Sequence, residues 1–143
     1  MAADIFEPWQ RAFIEKLRVA RLATVASSGY PALVPVCYAL VADQLVIAID
    51  EKPKSTTSLA RLRNIGRDPR VSILFDRYDE DWTKLAWVRV EGEASVGAAG
   101  AGRPDALQAL RERYPQYRQM DLESRPLVVV QPRTVVAWRW ESG

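Results

Sequence analysis

Arg21-Leu22-Ala23-Thr24-Val25-Ala26, then Ala32-Leu33-Val34-Pro35-Val36-Cys37-Tyr38-Ala39-Leu40, then Leu45-Val46-Ile47-Ala48-Ile49, follow one another with only short interruptions. Each run is apolar and rich in β-formers, and each is bounded by turn-formers: Ser27-Ser28-Gly29-Tyr30-Pro31 after the first, Ala42-Asp43-Gln44 after the second. Strands joined so tightly pair antiparallel, because a parallel crossover needs a dozen or more residues. The stretch therefore reads as a hairpin extended by a third strand. It is not the strand–helix alternation of a parallel α/β sheet. Pro35 falls inside the second strand and has no N–H to give, which marks an edge, a bulge or a place where a ligand replaces a neighbour.

Residues 7–18, upstream, form an amphipathic helix, with Pro8 suited to its first position and Trp9, Phe13, Ile14 and Leu17 on one face. Downstream, Ser58 to Arg67 reads as a short helix with Leu59, Leu62 and Ile65 as its apolar stripe, stopped by Asp68-Pro69. Val71 to Phe75 is a fourth strand. The run Asp76-Arg77-Tyr78-Asp79-Glu80-Asp81 matches no calcium-loop spacing and reads as a solvated loop. Lys84 to Val96 reads as the longest strand. Its small residues Ala86, Val88, Val90 and Gly92 suit a tight barrel interior, and Trp87 on the other face is a natural interface anchor. A flexible Gly97–Gly102 connector, a helix from Pro104 to Arg113, and strands at Leu127–Val130 and Val135–Trp140 complete the chain. The sum is a mainly β fold of six or seven antiparallel strands in a small barrel with flanking helices, one domain over residues 1–143.

Composition excludes more than it proposes. The net charge of +2 is too small to argue for nucleic acid or a membrane surface. No apolar run approaches the ~20 residues of a membrane span, and the N-terminus lacks a secretory pattern, so a cytoplasmic location is expected. One cysteine allows no intrachain disulfide. The chain has no histidine, which removes histidine triads, imidazole bases and most catalytic zinc sites, and no metal site is expected. If the protein is an enzyme, a cofactor supplies the hard chemistry.

One stretch offers chemistry. After Ile49, the loop Asp50-Glu51-Lys52-Pro53-Lys54-Ser55-Thr56-Thr57-Ser58 carries two lysines and four hydroxyls into a helix that adds Arg61 and Arg63. Lysine charge, hydroxyl donors and unpaired helix-start N–H groups are what an anion needs. A solvated, well-capped turn accounts for the same residues. The loop is not a P-loop, because no glycine separates strand from helix.

Several stretches together carry a resemblance: Ala20–Val25, Pro31–Tyr38, Asp50–Lys54, Leu62–Ile65, Asp68–Ser72 and Tyr78–Trp82. The set resembles the pyridoxamine phosphate oxidase-like proteins of the FMN-binding split-barrel type, within them the actinobacterial branch that binds the deazaflavin coenzyme F420. The resemblance implies a homodimer with a cofactor in each groove between subunits. The ring would lie near Thr24, Pro35, Val36 and Cys37. The phosphate would lie on Lys52, Pro53, Lys54 and Ser55, with Ile49, Asp50 and Arg61 completing that side. The partner would cover the ring with aromatics such as Trp82, Trp87 or Trp138. It implies F420-dependent hydride transfer to an unsaturated small molecule, the proton coming from water or a tyrosine such as Tyr38. The alternatives are an FMN-binding relative, or a non-enzymatic flavin, F420 or tetrapyrrole carrier. Oxidation of pyridoxamine phosphate itself is not expected, since the family's enzymes of that activity use a histidine this chain lacks. Cys37 is expected to line the pocket as a small hydrophobe, not to act as a thiolate.

Overall fold

A computed structural model describes residues 4–49, 56–97 and 100–141, with the side chains of 56–59 left aside. In chain order the elements are α1 (Pro8–Lys16), β1 (Ala20–Val25), β2 (Pro31–Val36), β3 (Ala39–Val41), β4 (Gln44–Ala48), α2 (Thr56–Arg67), β5 (Arg70–Arg77), β6 (Ala86–Gly97), α3 (Pro104–Arg113) and β7 (Leu127–Arg139). Short 3-10 turns lie at Trp82–Lys84, Gly100–Gly102 and Pro115–Gln119. The strands form one antiparallel sheet of seven, in the order β2-β1-β5-β6-β7-β4-β3.

That order dictates the curl. The two edge strands, β2 and β3, are consecutive in sequence and separated only by Cys37 and Tyr38. Three residue steps span at most about 11 Å, so the sheet must bend until its edges nearly meet. Among the described residues no ladder joins β2 to β3; the chain itself bridges the gap, and the barrel is split there. The second strand expected from sequence is thus two strands on opposite edges. Val34 to Leu40 reads as one apolar run because the break comes from a change of pairing partner, from β1 to β4, and not from a turn residue.

The inward faces fill the barrel. Leu22, Leu45, Ile47, Ile73, Phe75, Val88, Val90, Val128 and Val130 are nearly or wholly inaccessible, and Phe13 and Ile14 of α1 close one side. Tyr38 stands edge-on to Phe75 with ring centroids 5.0 Å apart. A second cluster lies outside the barrel, where Ala106, Leu107 and Leu110 of α3, with Tyr114, Tyr117 and Leu122, cover Ala39, Val46, Ala48 and Leu127. β4 is therefore buried on both faces, which explains its unbroken apolar sequence.

Three other expectations are corrected. The two C-terminal strands are one, β7, and at 13 residues it exceeds the 12 of β6. Pro132 looked like a break, but it sits at a bulge: Thr134 opposes Glu91 and Pro132 opposes Gly92, leaving Arg133 extra. There the strands close so tightly that a β-carbon on Gly92 would lie 2.3 Å from the Gln131 carbonyl oxygen. The glycine-rich connector is also anchored in its described part. Gly100 is buried and its N–H donates to the Arg125 carbonyl at 2.8 Å. Lastly, β5 runs on to Arg77 and takes the start of the expected charged loop. No helix among the described residues is long and apolar enough to cross a membrane.

Candidate cofactor cleft

Where the barrel splits, the chain leaves an opening. A cleft of about 250 Å³ is lined by Val19, Pro35, Val36, Cys37, Ile47, Ala48 and Arg61. Val19 leads into β1. Pro35 and Val36 end β2. Cys37 begins the bridge to β3, Ile47 and Ala48 end β4, and Arg61 comes from the second turn of α2. Pro35 is tolerated because β2 is an edge strand, paired among the described residues with β1 alone. Among the described residues the walls are apolar apart from the Arg61 guanidinium. Arg61 is 5% exposed, so its permanently charged guanidinium is enclosed by the protein at this point.

Four of the expected residues thus meet in one place: Pro35, Val36, Cys37 and Arg61. Ile49 is buried directly after Ala48, and its carbonyl accepts from Arg125 Nη1 at 3.4 Å. Asp50, Lys52, Pro53, Lys54 and Ser55 lie outside the described residues. Trp82 and Trp138 stand apart from the cleft in the same chain, exposed at 62% and 43%. Trp138 opposes Trp87 across the β6–β7 ladder, and Trp87 is half-buried, less open than its sequence position suggested.

Thr24 does not line this cleft. Its hydroxyl accepts from the Asn64 side-chain amide at 3.1 Å, and both residues are buried. Thr24 also borders a separate shallow groove with Gly29, Arg70 and Arg133. Tyr38 turns away altogether. Its hydroxyl lies 2.5 Å from the carbonyl of Ile14 and 2.9 Å from that of Leu17, at the end of α1. Burial pushes the hydroxyl well above the ordinary tyrosine range, against the opposing influence of nearby Arg113. A group so placed is a structural clasp, and the expectation of Tyr38 as proton donor is withdrawn. In the acidic loop, Asp79 accepts from the Asp81 N–H at 2.8 Å, and Asp81 accepts from the Thr83 N–H and hydroxyl at 3.1 and 2.7 Å. These carboxylates build the 3-10 turn that carries Trp82.

Sequence reasoning missed Val19 and Asn64, to which it gave no role, and Ile47 and Ala48, which it placed simply in a strand. For Asn64 a signal existed: a polar residue between Leu62 and Ile65, three positions from Arg61 and so on the same helix face.

Solved structures share this architecture. A conserved hypothetical protein from Mycobacterium tuberculosis superposes with a TM-score of 0.73 at 29% identity, covering 96% of this chain and 88% of that one. A heme binding protein from Mycobacterium smegmatis gives 0.73 at 21% identity, over 93% of this chain and 53% of its own. An F420 reductase gives 0.63 at 20% identity, over 88% and 94%. The last two likenesses speak for the fold alone. Sequence carries the assignment further: residues 6–139 match the pyridoxamine 5'-phosphate oxidase family, and the chain belongs to it.

Proposed function

We propose that this protein is an oxidoreductase that uses the deazaflavin coenzyme F420 to reduce an unsaturated small molecule, working as a cytoplasmic homodimer. The observation that carries this reading is the cleft at the split: apolar walls from Pro35, Val36, Cys37, Ile47 and Ala48, with the buried Arg61 guanidinium among them. That donor set fits a flat ring with an anionic tail. At about 250 Å³ the cleft falls just short of the ~300–1,000 Å³ of ligand pockets, which supports completion by a second copy. The exposed Trp82 and Trp138 are the aromatics such a copy would bring. Asp50, Lys52, Pro53, Lys54 and Ser55 are assigned to the phosphate side of the cofactor.

When bound, reduced F420 supplies a hydride to an electron-poor bond, with the matching proton drawn from water. The chain's own part is to orient and to exclude. Pro35, Val36 and Cys37 present a smooth, small-residue wall. Arg61, permanently charged, offsets negative charge in a low-dielectric setting. Cys37 lines the wall.

The FMN reading uses the same cleft. A tetrapyrrole carrier is favoured by one observation only, the partly exposed Cys37 in the cleft lining, since cysteine can serve as an axial ligand. One experiment ranks them: titrate F420, FMN and haem separately into the purified protein and follow quenching of its five tryptophans. F420 is expected to bind tightest; tighter FMN or haem binding reverses the order. Lys54→Ala is expected to weaken F420 binding by roughly 1–3 kcal/mol with the dimer intact by sedimentation. Unchanged affinity counts against the loop assignment, and a monomeric wild type against the shared groove.

A further inference from the structure

Among the described residues the cleft's cation is Arg61, carried by α2, and the last turns of that helix are tied to the end of β1. Asn64 lies one turn after Arg61 on the same face of α2, and Ile65 beside it packs into the barrel core. The Asn64 side chain is used on both sides. Its amide donates to Thr24 Oγ1 at 3.1 Å, and its carbonyl accepts from Arg67 Nη2 at 3.0 Å. The same Arg67 nitrogen donates to the Val25 carbonyl at 3.1 Å. Asn64 and Thr24 are 8% and 3% exposed, so neither can exchange its partner for water without opening the structure. The last turns of α2 are thereby pinned to the end of β1. An α-helix is stiff over one turn, so a pin at Asn64 fixes how far Arg61 reaches toward Pro35 and Cys37.

From this we infer that Thr24, Asn64 and Arg67 form a latch that positions Arg61 in the cleft, and that Thr24 acts on cofactor binding through α2 and not by touching the cofactor. The inference rests on the functional reading above. It gives Thr24 a role different from the direct contact expected of it, and it assigns one to Asn64 and Arg67.

The test is a double-mutant cycle on the full-length chain, with F420 and FMN as probes and tryptophan quenching as the readout. Thr24→Val removes the acceptor at nearly constant volume and is expected to weaken F420 binding about tenfold, the scale of one buried polar contact. Thr24→Ser keeps the hydroxyl and is expected to restore binding. In an Arg61→Gln background the same Thr24→Val change is expected to cost less than about twofold more, because residues acting through one contact are not additive. Arg67→Gln, at an exposed position, removes the outer half of the latch should Thr24→Val fail to fold, and is expected to show the same dependence on Arg61 in smaller measure. Full additivity, or a loss that Thr24→Ser does not repair, overturns the latch alone. Failure of the wild type to bind either probe overturns the functional reading together with it.

Discussion

Cys37 and Tyr38 are neighbours in the chain, yet they belong to two regions built on opposite terms. On the Tyr38 side almost every polar group is used. Arg113 donates through Nε to the Tyr38 carbonyl at 2.8 Å, and through its two terminal nitrogens to the carbonyls of Glu15 and Leu17 at 2.5 Å each. The Tyr38 N–H donates to the Tyr114 hydroxyl at 3.1 Å, which donates on to the Arg18 carbonyl at 2.9 Å. The Arg113 guanidinium also lies 4.8 Å from the centre of the Tyr38 ring. α1, α3 and the β2–β3 bridge are thus tied at one point. On the Cys37 side there is open space, apolar walls and a charge held by the latch on α2. Satisfied polar groups without a cavity mark a joint that holds the fold. A cavity with a cation beside apolar walls is the feature on which the proposed cofactor site rests.

The contrast can be broken most forcefully at Arg113. Arg113→Ala removes three charge-assisted hydrogen bonds to backbone carbonyls and is expected to cost roughly 3–5 kcal/mol of stability, read from urea unfolding. The folded fraction should still bind F420 with wild-type affinity; a matching loss of affinity would merge the two regions into one. The next test works from the other side. Cys37→Leu enlarges a side chain at the cleft wall and is expected to weaken cofactor binding by at least about tenfold, or ~1.4 kcal/mol. Its stability is expected to fall by about 1–2 kcal/mol, less than for Arg113→Ala, because Cys37 also packs against the outer cluster around Ala39 and Val46. Retained affinity would remove the cleft from consideration. Tyr38→Phe sharpens the comparison at smaller scale. It deletes one buried hydroxyl and is expected to cost about 1 kcal/mol of stability while leaving the pH dependence of turnover unchanged. An altered acid–base profile would reinstate Tyr38 as a proton donor.

The smallest effect concerns pH. At the end of α2, the Arg70 side chain donates to both Asp68 oxygens at 3.0 and 2.7 Å, and its N–H donates to one of them at 3.1 Å. These contacts, the side chain first, hold the Asp68 carboxyl at about 2 instead of the ordinary 3.8. A depressed carboxylate stabilises the folded state fully above the unfolded value, and that contribution is lost as pH falls from about 4 toward 2. The pair sits on the surface, so the change in unfolding midpoint over this window should be slight. Asp68→Asn should flatten it, and an NMR titration placing Asp68 near its ordinary value would remove the effect.

Local chemistry explains which parts were legible in advance. α3 was read with its ends in place, because Pro104 at the first turn and the spacing of Ala106, Leu107 and Leu110 are local signals. The inward face of β6 was read from its small residues, and Pro35 drew attention to the cleft because a proline inside a strand needs a reason. β7 was split in error, since nothing near Pro132 announces Gly92 on the neighbouring strand, 40 positions earlier in the chain, where the bulge accommodates it. Val19, Ile47 and Ala48 were invisible as cleft residues because an apolar side chain looks the same in a core as in a binding wall.

What the chain's own pattern determined was its class: short connections between apolar runs leave antiparallel strands no alternative, and the order of several motifs points to one family. Only the tertiary arrangement decided where the barrel opens, that Tyr38 is a clasp while Cys37 faces a cleft, and that Asn64 holds the helix bearing Arg61. The physical reason is distance. Backbone preference acts over a few residues, whereas each of those outcomes depends on groups brought together from strands and helices far apart in sequence.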